Sequence, residues 1–190
     1  MKKFDRSKVN KILIIKPAVI GDVLLATPVI ENLRMNFPDA EINFLTQKFC
    51  GEVLTDNPYL SKVRTYDLEY DSTSFLIKHI SRQKYDLVID LFGNPRTAIV
   101  TYFSDAKYKV GFKFNWRRFA YNIKLDPRRK ELHNVDFNLE SLRKLGLEVT
   151  SRAPLFVINT VHMEFADRFF DAHGLADAAV IGLYAYSIAQ

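Results

Sequence analysis

Lys11-Ile-Leu-Ile-Ile-Lys-Pro-Ala-Val-Ile-Gly-Asp-Val-Leu-Leu-Ala-Thr-Pro-Val-Ile-Glu-Asn-Leu-Arg34 decides the fold of this chain. Four consecutive aliphatic residues, Ile12 to Ile15, predict a strand buried on both faces, as strands of parallel sheets are. Behind them a short loop ends in Gly21-Asp22. After it Val23, Ala26, Ile30, Leu33 and Phe37 recur at spacings of three and four, one apolar face of a helix. Pro28 interrupts that face. Either one helix runs from Asp22 with a kink at Pro28, or a turn covers 22–26 and Thr27 caps a helix that Pro28 begins; the continuous helix is the expectation.

Outward from this stretch, strands are expected at Glu41 to Thr46, Lys62 to Tyr66, Leu87 to Phe92 and Tyr108 to Gly111. Between them come a short helical piece from Lys48 to Thr55 and helices from Thr73 to Gln83 and from Arg96 to Phe103. Such alternation predicts βαβ units and an α/β fold with a parallel sheet. Phe112 to Lys130 reads as irregular. Val135, Leu139, Leu142 and Leu145 mark a helix ended by Gly146, and Val161, Phe165, Phe169 and Ala172 mark another, begun by Asn159 or Thr160 and closed by Gly174. Two more strands are expected at Leu155 to Ile158 and Ala178 to Leu183, the second opening a unit with no helix behind it.

With 190 residues, 48% of them hydrophobic, the chain can build a real core and is not a disordered segment. A lone cysteine, Cys50, excludes an internal disulfide and fits a reducing compartment. The charged start and the interruption at Lys16-Pro17 fit neither a signal peptide nor a membrane span, so a cytoplasmic location is expected. His79, His133, His162 and His173 have no metal-ligand spacing, so no metal or other cofactor is predicted; His133 reads as a helix cap.

In an open parallel sheet, ligands bind outside the carboxyl ends of the strands. Asp22 stands there, either as a helix cap or as a general base. The loop after Leu87 to Phe92, Asp90-Leu-Phe-Gly-Asn-Pro-Arg96, brings an acid, an amide and a guanidinium together; Asp90 either caps the next helix, pairs with Arg96 or meets a ligand. One glycine in Pro17 to Gly21 satisfies neither a Walker pattern nor G-x-G-x-x-G, which excludes a P-loop. From 101 to 130, Lys107, Lys109, Lys113, Arg117, Arg118, Lys124, Arg128, Arg129 and Lys130 oppose only Asp105 and Asp126, a local +7 against +5 for the whole chain. Interleaved with Phe112, Phe114, Trp116, Phe119 and Tyr121, these cations suit an anionic, partly apolar partner, a phosphorylated glycolipid at a membrane surface or a nucleic acid; the alternative is a solvated loop. No nucleic-acid motif accompanies them.

Four pieces, residues 12–28, 85–97, 109–112 and 133–146, resemble in order those of glycosyltransferase family nine, the lipopolysaccharide heptosyltransferases. The resemblance implies a GT-B enzyme of two Rossmann-like halves. This chain would supply the acceptor-binding half over 1–176, and 177–190 would start a truncated donor-binding half. Asp22 matches the family's base, which takes a proton from an acceptor hydroxyl as it attacks ADP-heptose with inversion. Lys16, Gly21, Asn94, Arg96, Arg117 and Arg118 become acceptor-side candidates for a phosphorylated, Kdo-bearing lipid A core, with the enzyme peripheral at the inner face of the inner membrane. Tyr184-Ala185-Tyr186 stands where a proline- and glycine-containing donor turn is usual, and the later donor motif is missing. The expectation is therefore that this chain alone lacks the nucleotide-sugar site and transfers no sugar. A non-catalytic module for anionic glycolipids is the alternative.

Overall fold

The structure, a computed structural model, describes residues 4–67, 69–126 and 132–182. The chain divides into two compact units, Met1–Val157 and Ile158–Gln190.

In the first unit the described residues form a six-stranded sheet in the order β3-β2-β1-β4-β5-β6. Its strands are β1 (Lys11–Ile15), β2 (Glu41–Gln47), β3 (Lys62–Tyr66), β4 (Leu87–Asp90), β5 (Tyr108–Phe112) and β6 (Ile123–Leu125), and every pairing is parallel. β1 sits centrally, Ile12 to Ile15 being fully buried, as the run of aliphatics predicts. Its side chains alternate between two cores. Ile12 and Ile14 join Val29, Ile30 and Leu33 of α2 (Thr27–Asn36) and Leu139 and Leu142 of α5 (Asn134–Lys144). Leu13 and Ile15 face the other way, onto Leu76 and Ile80 of α3 (Thr73–Ser81) and Val100 of α4 (Pro95–Tyr102). The α/β reading therefore holds, as a three-layer arrangement with helices on both faces.

The first helix departs from expectation. Instead of one kinked helix, a short α1 (Ile20–Leu24) ends before α2 starts. Pro28 falls in the first turn of α2, where a missing N–H costs nothing, so the chain breaks there rather than bending a longer helix. Thr27 Oγ donates to Leu24 O at 2.7 Å across the break. The piece after β2 is two 3₁₀ turns, Lys48–Cys50 and Glu52–Leu54. β6 lies inside the stretch read as irregular: three residues are too few to carry an alternation, and the pairing of Val110 with Ile123 makes the strand.

Neither of the last two expected strands forms among the described residues. Residues 155–158 take no ladder; the Leu155 N–H donates instead to Thr27 Oγ at 2.8 Å. Residues 178–182 are exposed and outside any strand, for no other described segment of their own unit offers an edge, and Leu183 lies outside the described residues. The second unit holds α6 (Thr160–Ala172), begun by an Asn159 cap that accepts from the His162 N–H and followed by Gly174 at φ +63°, both as its sequence predicts. All of α6 is exposed.

Two buried amides one turn apart on α2 fasten the segment that leaves α5. Asn32 Oδ1 accepts from the Thr150 and Ser151 N–H groups while its Nδ2 donates to Ser151 O and Pro28 O. Asn36 exchanges a similar pair of bonds with Glu148. These side chains do for residues 148–151 what a neighbouring strand would do. Asn32→Ala leaves buried backbone groups without partners and is expected to cost about 2–3 kcal/mol, read as a lower urea midpoint at unchanged slope.

Candidate active site

β1 and β4 are neighbours, Ile15 beside Asp90, yet the chain leaves them toward opposite faces, β1 to α1 and α2, β4 to α4. A crevice opens between such diverging loops at the carboxyl edge of the sheet.

The loop after β1 is held on every side. The Lys16 N–H donates to Leu45 O at 3.0 Å, Gln47 Nε2 to Pro17 O at 3.1 Å and Cys50 Sγ to Ala18 O at 3.1 Å. Then it rises into solvent: Val19 is 64% and Ile20 50% exposed, and a Cβ on Gly21 would meet nothing within 4 Å. Packing does not demand that glycine. Asp22 is half-buried in the first turn of α1, but the N-cap is Val19, and the Asp22 carboxylate accepts no hydrogen bond and forms no ion pair among the described residues. The capping reading of Asp22 thus loses its basis. What remains is an acid with free lone pairs, just after two exposed aliphatic residues.

Asp90 is the opposite case, fully buried. Its Oδ1 accepts from the Phe92 and Gly93 N–H groups at 3.0 and 2.8 Å, and Oδ2 accepts from the Tyr121 hydroxyl at 2.7 Å. It caps no helix; Asn94 does that, accepting from the Thr97 N–H at 2.7 Å. Burial raises the Asp90 carboxyl above its ordinary range, and the surrounding donors offset only part of this. The same burial and the adjacent carboxylate raise the Tyr121 phenol, so that it stays a donor. Because the folded state holds the Asp90 proton more tightly than the unfolded chain, the stability this group contributes falls as pH rises from about 3.9 through the folded value. The stability of wild type relative to Asp90→Asn is expected to drop across that window and then level off, measured by urea unfolding at stepped pH.

Arg96 is drawn away from Asp90. Its guanidinium lies 5.1 Å from the centre of the Tyr66 ring and donates to Asp71 O. Lys16 is buried, its Nζ donating to Leu91 O at 3.2 Å and to Asn138 Oδ1 at 3.4 Å, which ties the β1 loop to the β4 loop and α5. Asn138 Nδ2 in turn donates to Leu25 O at the break between α1 and α2. Arg117 sits 5.2 Å over the Phe114 ring, which packs on Gly93; Arg118 is exposed.

The described cations between 101 and 126 do not form one patch. Lys107 and Lys109 lie at the amino-terminal edge of the sheet, where the Tyr108 N–H donates to Asp86 O and the Asp86 N–H to Lys11 O. Lys113 pairs with Asp126 at 3.4 Å, and Arg128, Arg129 and Lys130 lie outside the described residues. Adjacency in sequence is undone because the chain crosses the length of the sheet between β5 and β6. From sequence Tyr121 reads only as one of the aromatics suited to an apolar partner, and Asn138 is not singled out, since each acts on a residue far along the chain, Asp90 and Lys16. His133 does cap α5, its ring nitrogen accepting from the Val135 N–H.

The sequence profile of glycosyltransferase family 9 (heptosyltransferase) matches residues 74–186. Lipopolysaccharide heptosyltransferase 3 of Escherichia coli is 30% identical over 138 residues, 67% of this chain and 41% of that protein. Lipooligosaccharide heptosyltransferase 2 of Haemophilus influenzae is 24% identical over 115 residues, 58% of this chain and 33% of that one. A glycosyl transferase family 9 crystal structure from Veillonella parvula superposes with a TM-score of 0.80 at 25% identity, covering 94% of this chain and 53% of the other. For the E. coli ADP-heptose heptosyltransferase II structure the TM-score is 0.64 at 18% identity, covering 88% of this chain and 51% of the other. The chain spans less than half the length of the curated relatives it matches.

Proposed function

Because the chain belongs to glycosyltransferase family 9, whose profile covers more than half of it, we propose that it supplies the acceptor-binding half of a GT-B heptosyltransferase of lipopolysaccharide core synthesis. The observation that carries this reading is the Asp22 carboxylate, in the first turn of α1 just after exposed Val19 and Ile20 at the carboxyl end of β1, with no partner among the described residues. An acceptor hydroxyl placed against it would give up its proton to Asp22 as its oxygen bonds the anomeric carbon of ADP-heptose from the face opposite the diphosphate. The bond from that carbon to the diphosphate breaks with its electron pair leaving on ADP, and the sugar is inverted. The donor would be held by a second half, as the greater length of the relatives suggests, and the chain alone would transfer no sugar.

The acceptor is a phosphorylated, Kdo-bearing lipid A type glycolipid, met at the cytoplasmic membrane surface. No described helix is long and apolar enough to cross a membrane, so the contact would be peripheral. Asn94, Arg96, Arg117 and Arg118 are the proposed contacts; buried Lys16 acts by holding two loops of the crevice together, and Gly21 leaves the approach to Asp22 open. The test is sedimentation of the chain with vesicles containing Kdo-lipid A. Binding that weakens with salt, and that Asp22→Asn changes less than about twofold, is expected. Equal affinity for vesicles without the glycolipid, or better competition by a polynucleotide, would remove the acceptor-half reading.

A further inference from the structure

The carboxyl edge of the sheet holds a second concavity outside the crevice. A cleft of about 560 Å³ lies beyond β2 and β3, lined by Gln47, Phe49, Glu52, Tyr66, Asp67 and Glu69, with Lys48 alongside. It shares a wall with the candidate active site, because Gln47 Nε2 donates to Pro17 O in the loop that leads to Asp22.

Its chemistry differs from that of the other side. Three carboxylates face the Lys48 ammonium and, 5.1 Å from the Tyr66 ring, the Arg96 guanidinium, so the surroundings stay net negative by one charge and disfavour phosphate or carboxylate groups on the Glu52, Asp67 and Glu69 side. Phe49 is 56% exposed, an aromatic face in solvent where a core would have buried it. Tyr66 is pushed up to about 12 by burial, so its phenol remains a donor at working pH, and no described residue takes that donor. Gln47 offers a carbonyl oxygen that accepts from no described residue, its amide nitrogen being fixed on Pro17. An open aromatic ring rimmed by hydroxyl-binding acceptors and a phenol donor fits a sugar ring, whose C–H face is apolar and whose edge is all hydroxyls.

We propose that this cleft is a saccharide subsite for a sugar ring without acidic substituents, uncharged or amine-bearing. The ring lies on Phe49, its hydroxyls donate to Gln47, Glu52 and Asp67, and Tyr66 donates to a ring or hydroxyl oxygen. This rests on the reading of the domain as an acceptor half and adds a polarity to it. Acidic groups of the acceptor belong toward the β4 and β5 loops, where Arg117 and Arg118 lie, and non-acidic sugars toward β2 and β3. The cleft therefore selects acceptors by a sugar next to the reacting one.

The test is titration of the full ¹⁵N-labelled chain, followed by NMR, with maltotriose, a glucosamine disaccharide and glucose 6-phosphate. Amide shifts from the first two are expected to cluster at 47–52 and 66–69, with glucose 6-phosphate at least fivefold weaker there. Phe49→Ala should weaken maltotriose binding at least fivefold with the rest of the spectrum unchanged, and Glu52→Gln should narrow the gap between maltotriose and glucose 6-phosphate. Shifts from none of the probes in those segments, or glucose 6-phosphate binding there most tightly, would overturn the subsite. Shifts at 19–23 on adding Kdo-lipid A report separately on the acceptor-half reading, so either can fail while the other stands.

Discussion

Asp22→Asn is expected to slow heptose transfer by a complete family 9 enzyme carrying this domain about a thousandfold, or about 4 kcal/mol in the barrier. Asparagine keeps the shape and removes the basic lone pair. Since the Asp22 carboxylate has no hydrogen bond or ion pair with a described residue, the substitution breaks nothing internal and stability should move by no more than about 0.5 kcal/mol. Single-turnover release of ADP, alongside a thermal melt, separates the two effects. KM for the acceptor should stay within a few-fold while kcat collapses, because a proton acceptor acts in the transition state rather than on ground-state binding. A loss of less than tenfold would mean that another group takes the proton.

Gly111→Ala should produce the largest loss of stability, about 3–5 kcal/mol. A Cβ at Gly111 would stand 2.4 Å from Tyr121 Cε1 and 2.5 Å from its Cζ, far inside contact distance. The ring can move only by giving up its 2.7 Å hydrogen bond to Asp90, which is fully buried. One methyl group thus both overpacks the sheet and strips a donor from a buried carboxylate. Tyr121→Phe removes the donor alone and should cost less, about 1.5–3 kcal/mol. The double variant should fall short of the sum, because the two changes act on one contact. Urea unfolding of the three variants checks the order; a Gly111→Ala loss under 1 kcal/mol would mean that the ring is not confined.

What could be read in advance follows from how local each signal is. Ile12 to Ile15 announces a central strand because burial on both faces leaves no polar position to alternate with. Asn159 and Gly174 bracket α6 because both caps act within a few residues. Of the candidate site, the position of Asp22 was legible, fixed by a strand, a loop and a helix in direct succession. Four features could not be read this way. The break before Pro28 depends on Thr27 meeting Leu24 and Leu155, and β6 on an edge that β5 provides. The Tyr121 to Asp90 bond joins residues 31 apart, and the described cations from Lys107 to Lys124 disperse once the chain has crossed the sheet. Propensity at 155–158 and 178–182 was adequate; no described neighbour offered an edge to pair with.

The placing of β1 between β2 and β4 also sets an order of events at the ribosome. Its pairing with β2 closes over some 30 residues, Lys11 to Glu41, but its other edge waits for Leu87 to Asp90. Until those residues leave the exit tunnel, Ile12 to Ile15 present an apolar edge with unpaired backbone groups, the kind of surface that recruits other chains. Synthesis that pauses between β3 and β4 should therefore favour aggregation, whereas a pause after β4 finds the central strand already closed on both sides.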